Sequence, residues 1–290
     1  VKTAAGLSET VVHRVGSGTT ESRDVLAVEE PLEIRVGFND GGVHRHRAIS
    51  ITMRTPGDDA ELAVGFLFTE GIIQSADQIE QIRHCGLKVG RASGVIDRAG
   101  SLNSNTIRVD LRADVEIDLK RLERHFYTSS SCGVCGKSSI EALHTGAKRL
   151  TSVDEPSIDS SVIHTLPAIL RASQNVFEHT GGLHASAIFN LEGELDIVRE
   201  DVGRHNALDK VIGAKFTAGE TPLSDRVLLV SGRASFELVQ KALMAGIPIM
   251  AAVGAPSSLA VELAQEFGMT LAGFVRDGRF NIYSGAERIT

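Results

Sequence analysis

Tryptophan is absent from this chain, tyrosine occurs twice, and cysteine occurs three times in 290 residues. Positive charge is also scarce, with 30 Lys and Arg against 37 Asp and Glu and a formal net charge of −7. A general nucleic-acid binder needs a basic face and stacking aromatics, so no nucleic-acid partner is expected, although a local anion site stays open. Three cysteines cannot close a disulfide framework, and so low a count suits a reducing compartment; the cytoplasm is expected. No apolar run reaches the roughly 20 residues that cross a bilayer, so no membrane partner is expected. The first twenty residues lack the apolar stretch of a secretory signal. Residues 1–25 are expected as a flexible tail.

Two of the three cysteines stand together. Tyr127-Thr128-Ser129-Ser130-Ser131-Cys132-Gly133-Val134-Cys135-Gly136-Lys137 puts a C-x-x-C pair among serines and glycines. Ser138 followed by Glu141 reads as a capping box that opens a helix. The thiols would then lie at or just before a helix N-terminus, where the partial positive charge and Lys137 favour thiolate. That pattern points to sulfur exchange, with Cys132 and Cys135 as its candidate catalytic pair.

Around this loop the pattern divides the chain. Residues 26–126 read as a smaller N-terminal α+β domain, 127–145 as the cysteine loop and its helix, and 146–290 as an α/β domain. Residues 32–38 alternate like a strand, Asn39-Asp40-Gly41-Gly42 turns, and 44–54 return with Ile49, Ile51 and Met53 on one face. His44 and His46 share a face at strand spacing, but the interleaved Arg45 and Arg47 make a solvated edge the better reading than a metal pair. A helix starts at Asp58-Asp59, buries Leu62, Ala63, Phe66 and Leu67, and ends at Gly71. Ser75 caps a second helix predicted to reach His84-Cys85-Gly86, with Cys85 as a small core residue. A strand is expected at 106–112 and a helix at 119–126.

In the second half, residues 166–178 read as one amphipathic helix. Strands 185–189 and 195–198 form a hairpin, and a helix follows Arg204-His205-Asn206. Buried runs at 226–230, 248–253 and 270–275 alternate with helices at 236–243 and 259–267, which predicts a parallel sheet with right-handed crossovers. Ligands bind such sheets at the C-terminal ends of their strands. Three loops there have small or cationic residues: Ser231-Gly232-Arg233-Ala234-Ser235, Gly254-Ala255-Pro256-Ser257-Ser258, and Phe274-Val275-Arg276-Asp277-Gly278-Arg279. Each alone is an ordinary turn, whereas three on consecutive units point to a nucleotide-like ligand. His184, Asp201, Arg204 and His205 could line the same pocket; His205 could equally cap its helix or pair with Glu200.

Several stretches now match one family: Thr128 through Gly136, Thr180-Gly181-Gly182-Leu183-His184, and residues 199–210, 231–240 and 254–260. Over residues 29–283 the chain resembles the FdhD/NarQ family of formate dehydrogenase accessory sulfurtransferases. The resemblance implies a cytidine deaminase-like three-layer α/β/α domain beside the N-terminal domain, and a homodimer. It implies that Cys132 takes persulfide sulfur from a cysteine desulfurase, with Cys135 its partner. The sulfur would pass to a molybdenum cofactor, the bis-molybdopterin guanine dinucleotide form, before that cofactor enters apo-formate dehydrogenase. Phe274, Val275, Arg276, Asp277, Gly278 and Arg279 fall where the family is thought to hold the cofactor. The resemblance also draws His184, Arg204, His205, Arg233, Ser235, Gly254 and Ser257 into that site.

Other readings carry less. Deamination fails because cysteines are missing where a deaminase would carry its zinc ligands and no Glu follows His205 at the needed offset. No permanent metal is expected: a structural zinc would have to recruit ligands from His84, Cys85, His125 and His144, and no second pair has zinc-ribbon spacing. A thioredoxin-like oxidoreductase would need a buried strand before the C-x-x-C, and residues 126–131 make a poor one. The remaining alternative is a non-catalytic chaperone that holds the cofactor while the thiols stand idle.

Overall fold

The computed structural model describes residues 6–85, 88–89, 96–97, 105–115, 149–150, 156–276 and 278–290. The chain opens with strands β1 (Leu7–Val15) and β2 (Thr19–Ala27), an antiparallel hairpin. A flexible tail was the expectation for most of this stretch. Its valines and threonines favour strand, and Ser8, Thr10 and Val12 turn towards the body while Glu9, Val11 and His13 face solvent. The apolar content is too low to announce the strands in a sequence.

β3 (Glu30–Asp40) and β4 (Val43–Arg54) follow, joined at Gly41 and Gly42, whose φ values of 59° and 83° need glycine. With β5 (Ile79–His84) and β8 (Thr106–Leu111) they form a four-stranded sheet in the order β4-β3-β8-β5. Two short strands, β6 (Lys88–Val89) and β7 (Ile96–Asp97), pair with each other. Helix α1 (Asp59–Thr69) covers one face of the four-stranded sheet, where Leu32, Ile34, Val36, Ile107 and Val109 meet Leu62 and Leu67.

Two details differ from the sequence reading. Ser75 does cap a turn, and Gln78 completes the capping box, but the turn is one 3-10 stretch (Ala76–Gln78) that runs into β5. Ile49 does not share a face with Ile51 and Met53. The pairing slips between Ile34–Ser50 and Arg35–Ala48, so Ile49 is buried while Ile51 and Met53 lie outside.

Helix α2 (Ser160–Ala172) starts earlier than its apolar stripe suggests, because Asp159 caps it by accepting the Ser161 N–H. The expected single helix then breaks, and α3 (Asn175–Thr180) is separate. Its first turn is held by Glu200, which accepts from the N–H groups of Val176 and Phe177.

The larger sheet comes next: β9 (His184–Phe189), β10 (Leu195–Asp201), α4 (Arg204–Thr217), β11 (Val227–Val230), α5 (Phe236–Met244), β12 (Ile249–Ala252), α6 (Ser258–Phe267), β13 (Thr270–Arg276) and β14 (Arg279–Ser284). Its strand order is β10-β9-β11-β12-β13-β14. β11, β12 and β13 are parallel, and the flanking strands are antiparallel. One face packs against α4, α5 and α6 through Leu208, Val239 and Leu263; the other packs against α2 through Ile163, Leu166 and Leu170. The fold is thus mixed α/β.

Helices α1 and α4 join the two sheets. Gly65 and Gly213 sit where they cross, and a Cβ on either would overlap a backbone carbonyl of the other helix, Asp209 or Glu61. Beside the crossing, Lys241 Nζ donates to both Asp209 oxygens (2.9 and 3.0 Å) and to Thr69 Oγ1 (2.9 Å), all buried. Burial pushes the Asp209 carboxyl up, with Lys241 opposing.

Candidate functional site

Because β9 runs antiparallel to β11, the start of β9 and the ends of β10 to β13 share one edge of the large sheet. His184 opens β9, opposite Asp201 at the end of β10. Ser231 follows β11; its N–H donates to Ala185 O and its Oγ accepts from Ala185 N, which fixes the loop beside His184. The loops after β11 and β12 are stitched together, Ala234 N donating to Ala255 O and Ser257 N to Ala234 O. Phe274 N donates to Gly254 O and brings the third loop alongside.

Positive charge gathers at this edge. His184 is half-buried, and its pKa is lowered from the usual 6.5 first by burial and then by Arg204, His205 and Arg233, with Asp201 opposing. The imidazole is therefore neutral at neutral pH. Arg204 Nε is buried and has no hydrogen-bond partner among the described residues. A buried guanidinium N–H without an acceptor is costly, and an incoming anion would satisfy it. Ser235 is the N-cap position of α5, but its hydroxyl makes no capping bond and instead lies 3.4 Å from His205 Nε2. The backbone N–H groups of that first turn add to the positive field.

Glu237, in the same turn, lies 3.8 Å from His205 Nε2. Its carboxyl is lowered to about 2, chiefly by His205 beside it and against the effect of burial. The partner of His205 is thus Glu237 rather than Glu200, which is committed to α3. Sequence reasoning missed Glu237; its signal was an acid two residues after Ser235 in the first turn of a helix.

Asp201 has a structural task. It is fully buried, accepts from Gly203 N and Asn206 Nδ2 through Oδ1 and from Thr55 N through Oδ2, and pairs with Lys210 at 2.8 Å. Asn206 also donates to Met53 O, and Lys210 donates to Thr55 O. The first turn of α4, which presents Arg204 and His205, is thereby pinned to the end of β4.

The glycines make the edge tight. A Cβ on Gly232 would stand 3.3 Å from His184 Nδ1, and one on Gly254 would stand 2.9 Å from Gly232 O. Ser257 Oγ is engaged as the cap of α6, accepting from Ala260 N. Phe274 adopts a left-handed φ of 55°, which bends β13 near its end. The Val275 side chain lies in the core rather than at the rim, while Arg276 and Arg279 are exposed on either side of Gly278. Asp277 lies outside the described residues.

Cys132 and Cys135 also lie outside the described residues, as do His125 and His144. Cys85 is not a core residue. It is partly exposed beside Arg35 and Arg83, and burial raises its thiol pKa. His84 lies 3.7 Å from Asp59. No group of three or more His, Cys, Asp or Glu side chains that could hold a metal occurs among the described residues. No helix among them is long and apolar enough to cross a membrane.

Comparison with known proteins bears on what the edge serves. The FdhD/NarQ family profile matches residues 27–290. The chain is 50% identical to the sulfur carrier protein FdhD of Streptomyces avermitilis over 281 residues, covering 96% of this chain and 94% of that one. It is 47% identical to the protein of the same name from Mycobacterium tuberculosis, with 92% of each covered. Among solved structures, one provisionally described as a formate dehydrogenase accessory protein, from Desulfotalea psychrophila, superposes with a TM-score of 0.68. It is 26% identical, and 98% of each chain is covered.

Proposed function

Since the chain belongs to the FdhD/NarQ family, we propose that it carries sulfur for formate dehydrogenase maturation, from a cysteine desulfurase to a molybdenum cofactor held at the cationic sheet edge. Support for the sulfur half comes from relatives named sulfur carrier proteins that align over nearly the whole chain. The observation that carries the cofactor half is the convergence of Arg204, His205 and Arg233 around His184, with a buried Arg204 N–H left for an acceptor. Phosphates of a guanine dinucleotide are the chemistry that such a rim suits. Gly232 and Gly254 let the two loops pack directly against each other and against His184, which sets the rim. The cofactor is a substrate here, and the chain's own part is to hold it for sulfur delivery from Cys132. Helix α4 following the β9–β10 hairpin is the feature that favours a cytidine deaminase-like frame for this domain.

The sulfur step balances without an external oxidant. The Cys132 thiolate attacks the terminal sulfur of a desulfurase persulfide; the S–S bond breaks, the desulfurase cysteine leaves as thiolate, and Cys132 becomes a persulfide. Discharge can follow by direct transfer to the acceptor. It can also follow by attack of Cys135 on the inner sulfur, which releases sulfide, leaves a disulfide, and calls for a dithiol reductant to reset the pair.

The test is mass spectrometry of denatured, non-reduced protein after incubation with desulfurase and cysteine. One added sulfur on Cys132 is expected. Uptake by Cys132→Ala but not by Cys135→Ala would reverse the two roles. Activation of formate dehydrogenase by the double Cys→Ala variant would replace sulfur transfer with a chaperone role.

A further inference from the structure

The four-stranded sheet has one face against α1, and among the described residues no helix or strand covers the other. On the open face Arg35, Arg108 and Arg83 stand directly opposite one another across β3, β8 and β5. Like charges at opposed positions weaken a sheet, so this rung costs stability. Among the described residues two carboxylates answer it. Glu33 holds Arg35 at 2.8 Å, and the nearly buried Asp110 takes Arg83 at 3.1 Å, Arg108 at 2.8 Å and His44 at 3.5 Å. The face is therefore net positive on a chain of formal charge −7. Arg83 and His44 remain nearly half exposed.

The same face has an apolar end. Ile51, opposite Glu33, and Met53, opposite Pro31, are 56% and 46% exposed. Exposed aliphatic anchors beside arginines have the make-up of a protein interface rather than of a solvated sheet. The apolar end also adjoins the candidate cofactor site: Met53 O accepts from Asn206, in the helical turn that presents Arg204 and His205. A protein seated on Ile51 and Met53 would reach the cofactor edge without leaving the surface.

We propose that this open face docks a carboxylate-rich, partly apolar surface of the protein that receives the cofactor, the apo-dehydrogenase. The inference rests on the function proposed above. Continuity with the cofactor edge selects the receiving protein over the sulfur donor, and the arginine rung selects an acidic surface.

Binding to immobilised apo-formate dehydrogenase from the same organism tests it, by interferometry at low and moderate salt. Arg35→Glu/Arg83→Glu should raise Kd about tenfold or more and flatten its salt dependence. Arg35→Ala/Arg83→Ala should act in the same direction more weakly, and it decides the matter if the Glu variant melts early by circular dichroism. Ile51→Ser should weaken binding with the salt dependence kept. Arg226→Glu, beside Asp196 near the start of β11, should bind as wild type. Wild-type affinity in both arginine variants would overturn the proposal. So would a loss confined to desulfurase binding, or tight salt-sensitive binding of this face to duplex DNA. Sulfur uptake on Cys132 is measured separately: if wild type takes up none, the proposed function fails while the docking result is still read.

Discussion

Lys210 Nζ lies 2.8 Å from Asp201 Oδ2, and the two side chains are 2% and 0% exposed. This pair sits where the two sheets meet: both members reach across the junction to Thr55, while Gly203, Asn206 and Glu200 hold them from their own side. It therefore orients the turn that carries Arg204 and His205. Breaking a buried pair from one side leaves an uncompensated charge. Lys210→Met should lower stability by about 3–5 kcal/mol, read from the midpoint of urea unfolding.

The helix crossing gives a second stability prediction from a different cause. Gly65 and Gly213 allow α1 and α4 to touch backbone to backbone, and a methyl on either meets a carbonyl that cannot rotate away. Gly213→Ala should raise helix propensity yet cost about 1–3 kcal/mol through overpacking. If the thermal midpoint rises instead, the helices separate more readily than their packing indicates.

Much of this arrangement was legible in the sequence. The last third reads out because three buried runs alternate with amphipathic helices, and a parallel sheet follows from that order. The convergence of His184, Arg204, His205 and Arg233 follows from the rule that loops at strand ends meet at one edge. Other features depend on distant parts of the chain. Ile49 turns inward because of a register slip between β3 and β4, which no local pattern marks. The β1–β2 hairpin has no regular apolar alternation and leaves Val11, Val15 and Leu26 exposed, so its sequence reads as tail. The strand at Ile79–His84 was mistaken for a helix because the Ser75 capping box is real but serves a single turn. Asp201 looked like a pocket residue because its partners Thr55 and Lys210 are 146 and 9 positions away, and only folding brings them to one carboxylate.

The Glu237 carboxyl offers a readout at acid pH. Its folded-state pKa of about 2 lies below the usual 4.5, chiefly through His205 beside it. A depressed carboxyl stabilises the fold above the unfolded pKa, and that contribution disappears as pH falls through the folded one. Wild type should thus lose stability between about pH 4.5 and 2 in excess of Glu237→Gln, whose curve is flatter there. Glu237 is partly solvated, so the difference is small; equal curves for the two proteins would remove the pair from the account.

His184 connects the site's electrostatics to ligand binding. Its pKa is lowered by burial and by Arg204, His205 and Arg233, so the empty site disfavours the protonated ring. A phosphate placed among those cations cancels their field and favours the protonated ring. Binding then takes up a proton, and linkage requires affinity to increase as pH falls. The terminal phosphate of GDP, used as the probe, itself titrates at about pH 6, so the His184 part is read as a difference. From pH 8 to pH 5.5 the Kd ratio should shift in favour of wild type over His184→Asn, and calorimetry in buffers of different ionisation heat should show more proton uptake by wild type. His184→Asn should lack that component, because an amide at this position takes up no proton. Unchanged pH dependence in that variant would place the anion away from His184.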